Sequence, residues 1–140
     1  SPFARSEEPV MISVIDGNGD DCSISLYLAQ AGRLERVYTN ASLSDSLGFM
    51  YRMLSSTQGG WTPMSSEGRY MGATAWGDND RLTNPHYRRL RQLLHFEGNG
   101  EVRINRALAN WHRQRFVRPY TKALEAILEL KEGTFLLERT

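Results

Sequence analysis

Three short runs near the N-terminus, VMISVI (Val10–Ile15), CSISLYL (residues 22–28) and LERVYT (residues 34–39), alternate apolar and polar side chains. A period of two sorts side chains onto the two faces of a strand, which no helix can do. DGNGDD (residues 16–21) separates the first two runs and AQAGR the second two; both are rich in residues that favour tight turns. Connections this short force antiparallel neighbours, so two successive hairpins are expected. This stretch limits the fold more than any other.

Beyond it the pattern turns helical. Ser42 with Asp45 resembles a capping box, and Leu43, Leu47, Met50 and Leu54 recur at helical spacing, predicting a helix over about 43–55. Residues 55–83 are the least regular part and hold five of the twelve glycines, Trp61, Tyr70 and Trp76; RYMGATAW within them is a possible fourth strand. So long a loop is uncommon unless it binds something or carries structure of its own. Asn84–Pro85 opens a helix expected to run to Phe96. EGNGE breaks it, VRINRALANWHRQRF starts another, and Pro119 restarts the chain as a third, with Gly133 at its C′ position. TFLLE reads as a closing strand. The fold class is therefore α+β: an N-terminal antiparallel sheet of about three strands, with a possible fourth and a C-terminal strand, packed against about four helices. Residues 1–9 read as a polar leader or expression remnant, and 10–140 as one domain of that class.

Composition closes off several functions. No stretch is long and apolar enough to span a membrane, and no secretory signal is visible. Cys22 is the single cysteine, which excludes an internal disulfide or a thiolate zinc site and suits a reducing, cytoplasmic compartment. It reads more readily as a small packed hydrophobe than as a nucleophile. DGNGDD resembles the start of an EF-hand loop, but Asp21 and Tyr27 stand where that loop needs glycine and glutamate, so a hairpin turn is the better reading. Neither phosphate-cradling glycine motif is present. Trp61 and Trp76 read as anchors of the long loop, with a pocket lining as the alternative. His86, His95, His112 and Cys22, with Asp78, Asp80, Glu97 and Glu101, are the possible catalytic side chains, yet none stands at a diagnostic spacing. No catalytic residue, metal or cofactor is assigned, and the non-enzymatic reading is preferred to an enzymatic one.

The net charge of +1 hides a segregation. Residues 1–80 carry a net −5, residues 81–122 a net +8, and arginine outnumbers lysine fifteen to two over the chain. Phased as helices, the basic segment shows two polar stripes. One holds Arg88, Arg91 and His95; the other holds Arg103, Arg106, Asn110 and Arg113, opposite an apolar sector of Ile104, Ala107, Leu108 and Trp111. Arg115 falls inside that sector, so it is paired or marks the helix end. Two arginine-lined helices joined by EGNGE resemble a helix-turn-helix in outline, with a slightly long turn. The bland alternative is a solvated outer face, but such faces mix both charges. The expected function is a small non-enzymatic, regulatory nucleic-acid-binding protein whose arginines contact phosphates. The alternatives are a protein-interaction module, such as an inhibitor, chaperone or effector domain, docking an acidic protein surface, and a histidine-dependent ribonuclease-like enzyme. The expected partners are accordingly nucleic acid or an acidic protein, with a homodimer possible.

Overall fold

In a computed structural model that describes residues 7–57, 66–98 and 101–137, the three alternating runs form a three-stranded antiparallel sheet. Strand β1 (Val10–Ile15) pairs with β2 (Ile24–Gln30), and β2 pairs with β3 (Arg33–Asn40), in the order β1-β2-β3. Val10 lies opposite Ala29 and Ile15 opposite Ile24. Across the second ladder Gln30 lies opposite Arg33 and Ile24 opposite Asn40, with a bulge that leaves Val37 unmatched. The β2–β3 connection is the two-residue turn Ala31–Gly32, both at positive φ (47° and 79°), which matches the natural twist of a hairpin.

The remaining elements are α1 (Leu47–Ser56), α2 (Glu67–Ala73), α3 (Pro85–Leu90), β4 (Leu94–Phe96), β5 (Val102–Ile104), α4 (Trp111–Gln114) and α5 (Lys122–Ile127). Single 3₁₀ turns cover Leu43–Asp45, Thr74–Trp76 and Arg91–Leu93. The α+β class holds: a three-stranded sheet, a two-stranded sheet and five α-helices among the described residues. The chain divides into two compact units, Ser1–Met50 and Tyr51–Thr140, the boundary falling inside α1.

Several expected elements take another form. RYMGATAW is helical, not a fourth strand: α2 ends in it and the Thr74–Trp76 turn follows. The helix expected to reach Phe96 stops at Leu90, tightens through Arg91–Leu93 and becomes β4. Residues 102–104, read as the start of a helix, pair as β5 with β4, so the EGNGE segment joins two strands rather than two helices. Asn105 explains the break. Its N–H donates to the Leu93 carbonyl (2.8 Å), its side-chain oxygen accepts from Ala107 N, and its amide donates to the Gln92 carbonyl. A side chain that satisfies neighbouring backbone groups in this way competes with the helix. The carbonyl of Asn110 then accepts from Arg113 and Gln114 and starts α4.

The segment 134–137 forms no strand; residues 132–135 turn, and a single bond from Leu137 N to the Val117 carbonyl follows. Gly133 does take positive φ (90°), but in that turn, while Glu129 (φ 59°) occupies the left-handed position after α5. Trp61 lies outside the described residues, and Trp76, expected to anchor the loop, is 94% exposed.

The core of the second unit is aromatic at its centre. Trp111 and Tyr120 meet edge to face at 5.5 Å, Tyr120 and Phe135 at 5.2 Å, with Leu93, Ile104, Leu108, Leu124 and Leu128 buried in the same unit. Ile104, Leu108 and Trp111 were expected inside and are; Ala107 is exposed. Arg115 follows the last residue of α4, so it marks the helix end.

Candidate functional site

A polar recess in the first unit grows out of the turn between β1 and β2. Asp16 N donates to the Ser23 carbonyl (2.8 Å) and closes the turn. Gly19 sits at φ +54°, and a Cβ there would lie 2.2 Å from the Cys22 carbonyl oxygen, so no side chain fits. The turn folds over the start of β2 and leaves a hollow of about 450 Å³, lined by Asp16, Asp20, Asp21, Cys22, Ser23, Ser25 and Tyr27 with Val14 and Gly19. That volume lies in the range of small-molecule sites.

Its walls are tied together. Cys22 Sγ lies 2.7 Å from Ser25 Oγ and donates to Asp21 Oδ1 at 3.2 Å. The other oxygen of Asp21 accepts from Arg36 at 2.8 Å, and that bond, with the Cys22 contact, holds the Asp21 carboxyl below its ordinary range. Asp21 in turn raises the Arg36 guanidinium. Arg36 is thereby committed, and Asp16 and Asp20 leave the recess with an excess of negative charge.

The back of the turn rests on the start of α1. Ser46, fully buried, donates to the carbonyls of Gly17 (2.6 Å) and Asp16 (3.2 Å) while its oxygen accepts from Phe49 N (3.0 Å), which makes it the cap of the helix. The side chain of Ser42, read as a cap, bonds Asp45 Oδ2 instead (2.8 Å). Gly48 completes the contact, because a Cβ there would come within 2.6–2.8 Å of the Asp16–Gly17 backbone. Carboxylates and hydroxyls dominate the recess, so it is chemically suited to a ligand rich in N–H and O–H donors. Among the described residues no group of three or more His, Cys, Asp or Glu side chains could hold a metal ion.

The two arginine stripes do not lie on two continuous helices, and the β4–β5 ladder sets His95 of one opposite Arg103 of the other. Arg88 lies on α3 and reaches the Leu82 carbonyl (3.4 Å); Arg91 lies in the following 3₁₀ turn; His95 lies on β4, 3.2 Å from Glu97. Arg103 lies on β5 and pairs with Glu101, Arg106 stands in the turn after it, Asn110 precedes α4, and Arg113 lies on α4. Elsewhere in the segment Arg89 bonds Glu129 (2.7 Å) and Arg118 bonds the buried Glu125 (3.2 Å). A stripe needs one continuous helix, and Asn105 and Asn110 divide this one into strand, turn and helix. In the sequence DGNGDD suggests a site only as an EF-hand-like loop, set aside as a turn; Ser25 draws no notice, and the packing of the turn against Ser46 and Gly48, some thirty residues on, has no local signature.

The chain matches the family model described as "Carbamoyltransferase N-terminus" over residues 1–127. No curated protein matches it. The family match overturns the expected non-enzymatic, regulatory nucleic-acid-binding function, since the family's name is that of an enzyme. That expectation rested on a helical phasing of the arginines that the backbone does not adopt.

Proposed function

We propose that this chain, which belongs to the carbamoyltransferase N-terminus family, takes part in moving a carbamoyl group from an activated donor to a hydroxyl or amine acceptor. The family match over residues 1–127 is the observation that carries this reading. In such a transfer the bond from the carbamoyl carbon to its leaving group breaks with the electron pair departing on that group. The acceptor's oxygen or nitrogen forms the new bond and gives up a proton.

We assign the recess of the first unit to the acceptor. Its net negative charge disfavours a phosphate-like donor and favours groups that present N–H or O–H. Asp16, Asp20 and Ser25 would hold such groups, with Cys22 and Ser25 fixing each other's orientation at 2.7 Å.

The test uses the complete protein, carbamoyl phosphate labelled in its carbonyl carbon, and a panel of hydroxyl- and amine-bearing acceptors. Label is expected to move to an acceptor in a protein-dependent way. Asp16→Asn and Ser25→Ala should raise the acceptor KM about tenfold while leaving the donor KM within about twofold, the size expected for lost hydrogen bonds to charged or polar groups. Absence of transfer to every acceptor class would end the carbamoyl reading. Transfer with unchanged acceptor KM in both variants would remove only the recess.

A further inference from the structure

The outer edge of β3 carries a pattern that is complementary to itself. β3 ends the sheet, with no strand beyond it among the described residues. The two-residue Ala31–Gly32 loop makes Gln30 and Arg33 a bonded pair, so the backbone groups of Arg33 and Glu35 turn towards β2. Those of Leu34 and Arg36 therefore turn outward, a row of donors and acceptors ready for another strand. Leu34 is 58% exposed at the middle of this row. Arg33 and Glu35 flank it and line one hollow together with Leu28, Gln30 and Ala31, so their side chains share a face of the sheet. Arg36, on the opposite face, is already held by Asp21 of its own chain.

We infer that this edge pairs with the same edge of a second copy, antiparallel about a two-fold axis at Leu34. Leu34 then exchanges both backbone bonds with Leu34 of the partner subunit, and the two exposed leucine side chains cover each other. On the other face Arg33 stands opposite Glu35 of the partner subunit, and Glu35 opposite the partner's Arg33. These are directly opposed positions whose Cβ atoms lie about 4.5–5.5 Å apart in an antiparallel ladder. Two attractive charge pairs arise from one strand, as an interface between identical surfaces requires. An unrelated acidic or basic strand meets one like-charge pair in the same register, which is why the occupant is a second copy. The product is a single six-stranded sheet running through both subunits.

The ladder is short, so the pairing is concentration-dependent, and sedimentation velocity on the full chain at about 100 µM is the measurement. The expected result is a species of twice the chain mass. Arg33→Glu opposes glutamate to glutamate twice and should weaken association at least about tenfold, returning the monomer mass. Glu35→Arg should do the same, and R33E/E35R, which restores both pairs with the signs exchanged, should recover the dimer. Far-UV circular dichroism accompanies each variant, and if R33E is unfolded, E35R and the double variant decide. A monomeric wild-type chain, or a charge-swapped protein that stays monomeric while folded, would overturn the inference.

Discussion

The two units of this chain reach order by different means. In the first unit, a period-two pattern and two tight turns specify three strands, and short-range chemistry settles the register. In the second, short helices, 3₁₀ turns and three-residue strands follow one another, and an aromatic cluster with a buried carboxylate organises them. The first unit is written locally; the second is decided by which side chains meet across the sequence. The contrast teaches that apolar spacing is reliable only where no side chain offers the backbone a competing partner. Asn105 makes that offer within a run that otherwise phases as a helix.

This contrast is tested first by its strongest element. Trp111 lies against Tyr120, which lies against Phe135, and all three are almost wholly buried. Trp111→Ala should cost about 3–5 kcal/mol in urea unfolding and remove the second unit's cooperative transition. An unfolding midpoint shifted by less than a third of that would mean the cluster does not organise the unit.

Glu125 comes next. Its carboxylate is 2% exposed, accepts from Phe135 N (2.9 Å) and Gly133 N (3.0 Å), and faces Arg118. Burial alone would raise its pKa, but the two backbone donors and the guanidinium outweigh it and hold the carboxyl below its ordinary range. Glu125→Gln leaves Arg118 unpaired in a largely buried setting and should cost about 3 kcal/mol. The pH dependence has a definite sign. Since the folded carboxyl is the stronger acid, its stabilisation is present above the unfolded pKa and is lost as pH falls through the folded one. The wild type should therefore lose stability on acidification where the glutamine variant does not. Parallel acid unfolding of the two proteins would discard the assignment.

The first unit offers a smaller test. Gly19→Ala combines a positive φ with a clash on the Cys22 carbonyl and should cost about 1–3 kcal/mol, read from the first unit's circular dichroism on heating. A neutral result would show that the recess tolerates a different turn. Smallest of all is Arg91→Ala. Arg91 is exposed in a 3₁₀ turn, and its removal should change stability by no more than about 0.5 kcal/mol and leave carbamoyl transfer unaltered. A large loss of transfer would restore a functional basic surface.

The sequence by itself determined the α+β class and the three N-terminal strands. It also placed Trp111 and Leu108 in the core. Each follows from short-range periodicity or turn chemistry, which a strand or a single helical turn carries within a few residues. Only the tertiary structure decided the rest. It bent residues 102–104 into a strand paired with β4, coiled RYMGATAW into a helix, and divided the arginines phased as two helical stripes among helix, strand and turn. It also set Ser46 and Gly48 against the Asp16–Gly17 turn, brought Asp21, Cys22 and Ser25 to one recess, and paired Asp21 with Arg36. Those arrangements depend on pairings between residues three to forty positions apart, and spacing along a chain records only the order of such residues, not which of them close on one another.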